Sequence, residues 1–117
     1  METTNILHSF KYAIRGISFA IYSQSNMRVH LFVAVIAIVF GFLLEISRLE
    51  WILLIISIFF VLITEIINTS VEMSVDLTTK KKKIRAMLTK DLAAGSVLLA
   101  SINSLIIGYL IFFDKFI

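Results

Sequence analysis

The chain has no cysteine and no proline among its 117 residues, and only four glycines. Without cysteine there is no disulfide framework, no thiolate metal site and no cysteine nucleophile. Without proline, no ring-enforced kink interrupts a long helix. Gly16, Gly41, Gly95 and Gly108 are too scattered to form a phosphate-cradling loop of the Walker or other glycine-rich kind. Charge is scarce as well: 16% of the residues are charged, against 59% hydrophobic. A soluble domain of this length cannot hide so much apolar surface, so the excess must face lipid. Length implies one domain over residues 1–117. Residues 1–28 carry charges and lack a short apolar core with a small-residue cleavage site. Insertion is therefore expected through the membrane spans and not through a removable signal.

What is present falls into long apolar stretches. In residues 4–22, Leu7, Phe10, Ile14, Ile17 and Ile21 recur at three- and four-residue spacing, with His8, Lys11, Arg15 and Ser18 largely opposite. That spacing predicts an amphipathic helix lying in the headgroup layer, or else packed on the protein's own surface. Three transmembrane helices follow, over residues 29–46, 51–73 and 92–113, so the fold class is an all-α membrane protein. Residues 47–50 form a tight connection, Trp51 is an interfacial residue by preference, and residues 77–89 read as a polar loop. Lys11, Arg15, Arg28, Lys80, Lys81, Lys82, Lys83, Arg85 and Lys90 make nine of the eleven basic residues on one side, with Arg48 and Lys115 on the other. The positive-inside rule then sets the N-terminus and the lysine loop in the cytoplasm, in a multi-pass protein of the inner (cytoplasmic) membrane.

The second span carries the chemistry. Residues 65–76 read Glu-Ile-Ile-Asn-Thr-Ser-Val-Glu-Met-Ser-Val-Asp, continuing the apolar run that opens at Trp51. At ~100° per residue, Asn68 lies ~60° from Glu65, while Glu72 and Asp76 lie ~20° to either side of it. Four polar groups thus share one stripe of one helix, and ionisable groups in a span mark a functional site by default. Glu65 follows Trp51 by 14 residues, or ~21 Å of helix, several ångströms short of the far edge of a hydrocarbon core ~30 Å thick. Glu72 reaches that edge and Asp76 stands in water. An unpaired carboxyl at Glu65's depth can take a proton from a hydroxyl near the headgroups. Glu72 is a hard-oxygen ligand suited to Mg²⁺. Lys90 and Asp91, read as opening the third span, offer a positive charge and a helix start for a phosphate. Acid, metal ligand, lysine and helix start together point to phosphoryl transfer.

Blander readings stand beside these. Glu65 is alternatively a structural acid paired with Asn68 or with a neighbouring subunit, and Asp76 an interfacial cap. The lysine run fits an anionic-lipid anchor and topology signal better than an ATP contact. His30, after an arginine at the start of a span, fits an interfacial structural role. Asn103 fits a hydrogen bond between helices, and Ser96, Ala100, Ser104 and Gly108 fit close helix packing. A channel with Glu65 as relay group would need polar residues through the outer half of a span, where residues 51–62 offer only Ser57. An accessory subunit without activity is the other non-enzymatic reading.

The segment from Glu65 to Asp76, with Lys90-Asp91-Leu92-Ala93-Ala94-Gly95, closely resembles the signature of the small bacterial integral-membrane lipid kinases, the prokaryotic diacylglycerol and undecaprenol kinases. Asn26-Met27-Arg28-Val29-His30 and Ser47-Arg48-Leu49-Glu50-Trp51 look more like the undecaprenol branch. The resemblance covers nearly the whole chain. It implies transfer of the γ-phosphoryl group of ATP to a membrane alcohol, undecaprenol first and diacylglycerol as the alternative. It further implies Glu65 as general base, Glu72 as ligand of the Mg²⁺ that carries ATP, Asn68 and Asp76 as supporting groups, and Lys90, Asp91 and Tyr12 as nucleotide contacts. The family is homotrimeric, with sites at subunit contacts. Its members often carry a second metal-binding Glu four residues before the arginine matched by Arg28. Here that position is Gln24, which keeps a carbonyl oxygen but not the charge, so the resemblance implies weaker Mg²⁺ binding.

Overall fold

A computed structural model describes residues 5–81 and 83–116. The start of the expected surface helix at residue 4, and Lys82 of the lysine run, lie outside that range. The described residues are helical almost throughout: α1 (Ile6–Ser23), α2 (Ser25–Leu43), α3 (Arg48–Thr78) and α4 (Ile84–Phe112), then a 3₁₀ turn over Phe113–Phe116. Helices α2, α3 and α4 are each long and apolar enough to cross a membrane. The all-helical class and the three candidate spans agree with the sequence, while the boundaries differ in instructive ways.

Asn5 opens α1 by accepting the Leu7 N–H at 2.8 Å, which meets one of the donors a helix start leaves free. Only Gln24, in extended geometry, separates α1 from α2. The break frees carbonyls at the end of α1, and the Arg28 guanidinium donates to two of them, Ile21 at 2.9 Å and Tyr22 at 2.8 Å. The first span therefore begins at Ser25 instead of residue 29. It ends at Leu43 and not at 46, because the chain turns back on itself. Ile46 N–H bonds Gly41 C=O and Glu45 N–H bonds Phe42 C=O, with Glu45 at φ +50°. This is a Schellman stop with glutamate in the left-handed position where glycine is usual.

Ser47 and Glu50 then form a reciprocal capping box, Ser47 N–H donating to Glu50 Oε1 at 2.8 Å and Glu50 N–H to Ser47 Oγ at 3.2 Å. From there α3 runs 31 residues, ~46 Å at ~1.5 Å per residue, longer than the ~30 Å of hydrocarbon. Its buried hydroxyls stay on their own helix: Ser57 donates to Leu54 C=O, Thr64 to Val61 C=O and Thr69 to Glu65 C=O. None needs a partner elsewhere.

Both α3 and α4 extend beyond the expected spans, so the polar loop expected over residues 77–89 shrinks to the few residues between Thr78 and Ile84. The hydropathy boundary marked the edge of the apolar run, whereas the helical hydrogen-bond ladder continues through polar residues while α3 and α4 lie side by side. Arg85 and Lys90 are helical as a result. Helix α3 is the hub, touching α1, α2 and α4. The apolar core lies toward its N-terminal end, where Ile46, Leu54 and Ile111 are buried with Trp51 packed against them. Ala100 is fully buried, in keeping with close packing at that position, but Asn103 is exposed and makes no hydrogen bond among the described residues. The interhelical bond expected of Asn103 is not formed among the described residues.

Candidate active site

The polar stripe lies on one uninterrupted helix, and burial falls steadily along it. Glu65 is 2% exposed, Asn68 and Glu72 are half-buried, and the Asp76 side chain is 66% exposed. A single face of α3 thus passes from the protein interior to its surface within about three turns.

Glu65 has an unanticipated neighbour. His30 of α2 brings Nε2 to 3.4 Å from Glu65 Oε2. Nothing in the sequence pairs these residues on two different helices, beyond a histidine near the start of a span. One turn on, the Oδ1 of Asn68 is buried with no hydrogen-bond partner among the described residues. A buried amide oxygen without a donor costs free energy, of order 1–3 kcal/mol, so this atom is an acceptor waiting for one.

At the exposed end, Lys90 Nζ donates to Asp76 Oδ1 at 2.6 Å, joining α4 to α3. Lys90 was expected at the start of its helix, where free N–H groups and the dipole would assist an anion. It lies instead well inside α4, which begins at Ile84, so its own charge is what it offers. Val75, Asp76, Thr79, Lys80, Lys81 and Lys90 are among the residues lining a cleft of about 420 Å³ between the two helices. Asp91 is exposed, and Tyr12 sits on α1 with the Arg15 guanidinium 5.5 Å from its ring centroid. Gln24 occupies the α1–α2 junction, half-buried. Among the described residues, no hydrogen bond or ion pair links Tyr12, Gln24 or Asp91 to the acids of α3.

The donor set suits a hard cation delivered with phosphate. Glu72 has no ion-pair partner among the described residues, and no three His, Cys, Asp or Glu side chains there converge on one point. Mg²⁺ commonly takes one or two protein carboxylates and fills its remaining positions with water and phosphate oxygens. A single free carboxylate fits that habit and not a closed all-protein cage.

Residues 11–112 match the profile of the prokaryotic diacylglycerol kinase family. The chain belongs to that family, and with it to the membrane lipid kinases. It is 40% identical over 105 residues to a diacylglycerol kinase from Synechocystis, covering 89% of this chain and 60% of that protein. It is 37% identical over 114 residues to the undecaprenol kinase of Bacillus subtilis, covering 97% and 93%. With the diacylglycerol kinase of Haemophilus influenzae it shares 31% over 111 residues, covering 94% of each. The chain therefore spans less than two thirds of the Synechocystis relative and nearly all of the other two.

Proposed function

We propose that the protein phosphorylates a membrane lipid alcohol, undecaprenol, with the γ-phosphoryl group of ATP, at the polar stripe of α3. The gradient along that stripe carries the reading. A buried carboxylate at one end can meet a hydroxyl held near the headgroups, and exposed charges at the other can meet a dissolved triphosphate. Glu65 takes the proton of the lipid hydroxyl as its oxygen attacks the γ-phosphorus and the bond to the ADP oxygen breaks. Asn68 Oδ1, unpartnered and adjacent, accepts a donor from substrate or nucleotide. Lys90, steadied by Asp76, faces the phosphates, and Asp91 and Tyr12 contact the nucleotide. Mg²⁺ bound by Glu72 and, through its amide oxygen, by Gln24 would neutralise phosphate charge.

Undecaprenol is favoured over diacylglycerol because segments 26–30 and 47–51 resemble the undecaprenol branch, and the first of them contains the histidine beside Glu65. Relatives named for either lipid lie at similar identity, so the choice rests on those segments. The N-terminus and lysine loop face the cytoplasm, with α1 in the headgroup layer of the inner membrane. Ile6, Leu7 and Phe10 are exposed on α1, which supports that placement. The assembly is a homotrimer. An exposed Asn103 in the middle of a span is costly against lipid, and its amide would be met by a neighbouring copy. A channel has no support, since Ser57 is buried and bonded within its own helix.

The test is a phosphotransfer assay in detergent micelles with labelled ATP, Mg²⁺ and both lipids in competition. Label should appear mainly in undecaprenyl phosphate. Preferential labelling of diacylglycerol would reassign the acceptor, and labelling of neither would remove the kinase reading for this chain.

A further inference from the structure

A carboxylate that accepts a proton in each turnover must lose it before the next, and Glu65 is sealed from water at 2% exposure. Among the described residues the imidazole of His30 is the ionisable group paired with it. Two basic side chains of the neighbouring helices are engaged elsewhere. Arg28, on the same helix as His30, is turned to the carbonyls of Ile21 and Tyr22 of α1. Lys90, from α4, is tied to Asp76. His30 is not sealed, for its side chain keeps 23% exposure against 2% for Glu65. An imidazole has two nitrogens, so it can take a proton on one and release it from the other.

We propose that His30 is the proton exit of this site, a positioning and relay residue that acts through Glu65. The inference rests on the reading of Glu65 as general base. The lipid O–H bond breaks and its proton goes to Glu65 as the new O–P bond forms and ADP departs. That proton then passes from Glu65 to His30 Nε2, leaving a carboxylate and an imidazolium. The imidazolium releases a proton from Nδ1 to solvent, and the ring regains its starting tautomer by exchange with water at its exposed edge. The 3.4 Å separation is longer than an optimal hydrogen bond, and a small rotation of either side chain closes it.

The experiment compares parent, His30→Ala, His30→Gln and Glu65→Gln as full-length protein in micelles with undecaprenol, ATP and Mg²⁺, with and without added free imidazole. The relay predicts that both His30 variants lose about 10²-fold in kcat with little change in the KM for lipid or ATP. Imidazole should restore His30→Ala, with a rate that follows the concentration of its neutral form as pH is varied, and should leave His30→Gln slow. A kcat for His30→Ala equal to that of the parent overturns the relay, as does a loss that imidazole does not restore. Should His30→Ala fail to fold, His30→Gln decides alone, and parent-like turnover there overturns the proposal. Glu65→Gln separates the two readings: its retained activity removes the general base itself, whereas an inactive Glu65→Gln beside a fully active His30→Ala removes only the relay.

Discussion

Gly41 illustrates how single positions are fixed by contacts that span the chain. A Cβ placed there would lie 2.7 Å from the Trp51 ring and 3.2 Å from Ile46 Cδ1. The ring cannot move freely, because it also packs against Phe42 at 4.7 Å between centroids. Gly41→Ala should therefore cost about 1–3 kcal/mol by overpacking, read as a lower unfolding midpoint in detergent; parent stability would contradict this packing. In the sequence Gly41 was only an interruption of an apolar run, since nothing local reveals the tryptophan ten residues on. The stripe was legible for the opposite reason. An acid inside a run of Ile, Leu and Phe is costly wherever the helix packs, so Glu65, Asn68, Glu72 and Asp76 stood out before any fold was known. His30 did not, because its meaning depends on α2 lying against α3.

At the scale of elements, periodicity and hydropathy gave the number and order of the helices, and α1 within two residues of its start. They misjudged the ends of the spans because apolar character reports where lipid stops, not where backbone hydrogen bonding stops. The longer α3 and α4 form an antiparallel pair tied near both ends. Asp76 and Lys90 join them beside the basic turn. Near the other end Lys115 Nζ donates to Glu50 Oε2 at 2.8 Å and to Ile111 C=O at 3.0 Å. Glu50 thus serves both the capping box and this tie. The Ser-x-x-Glu spacing of the box was present in the sequence, while the reach of Lys115 across 65 positions was not. A double-mutant cycle with Glu50→Gln and Lys115→Met should give a favourable coupling at low salt that weakens in high salt. Zero coupling at low salt would mean that the pair does not hold the helices together.

The whole molecule is flat, 52 × 40 × 21 Å, and exposes 9055 Å². A soluble monomer of 13.3 kDa would expose about 6,400 Å². The excess is apolar surface for lipid and, in the proposed trimer, for neighbouring copies. The packed core and the polar stripe lie toward opposite ends of α3, and cover from the chain itself thins along the stripe from buried Glu65 to exposed Asp76. The unpartnered oxygen of Asn68 lies within that stripe, open to the donor proposed for it. The central claim is that the buried end of the stripe does the chemistry while its exposed end holds the nucleotide. Single-turnover transfer of labelled phosphate from ATP to undecaprenol, measured alongside ATP affinity for the parent, Glu65→Gln and Glu72→Gln, tests it most directly. Glu65→Gln should bind ATP as the parent does yet transfer at least 10²-fold more slowly, and Glu72→Gln should lose Mg²⁺-dependent ATP affinity. Transfer by Glu65→Gln at the parent's rate would contradict the account.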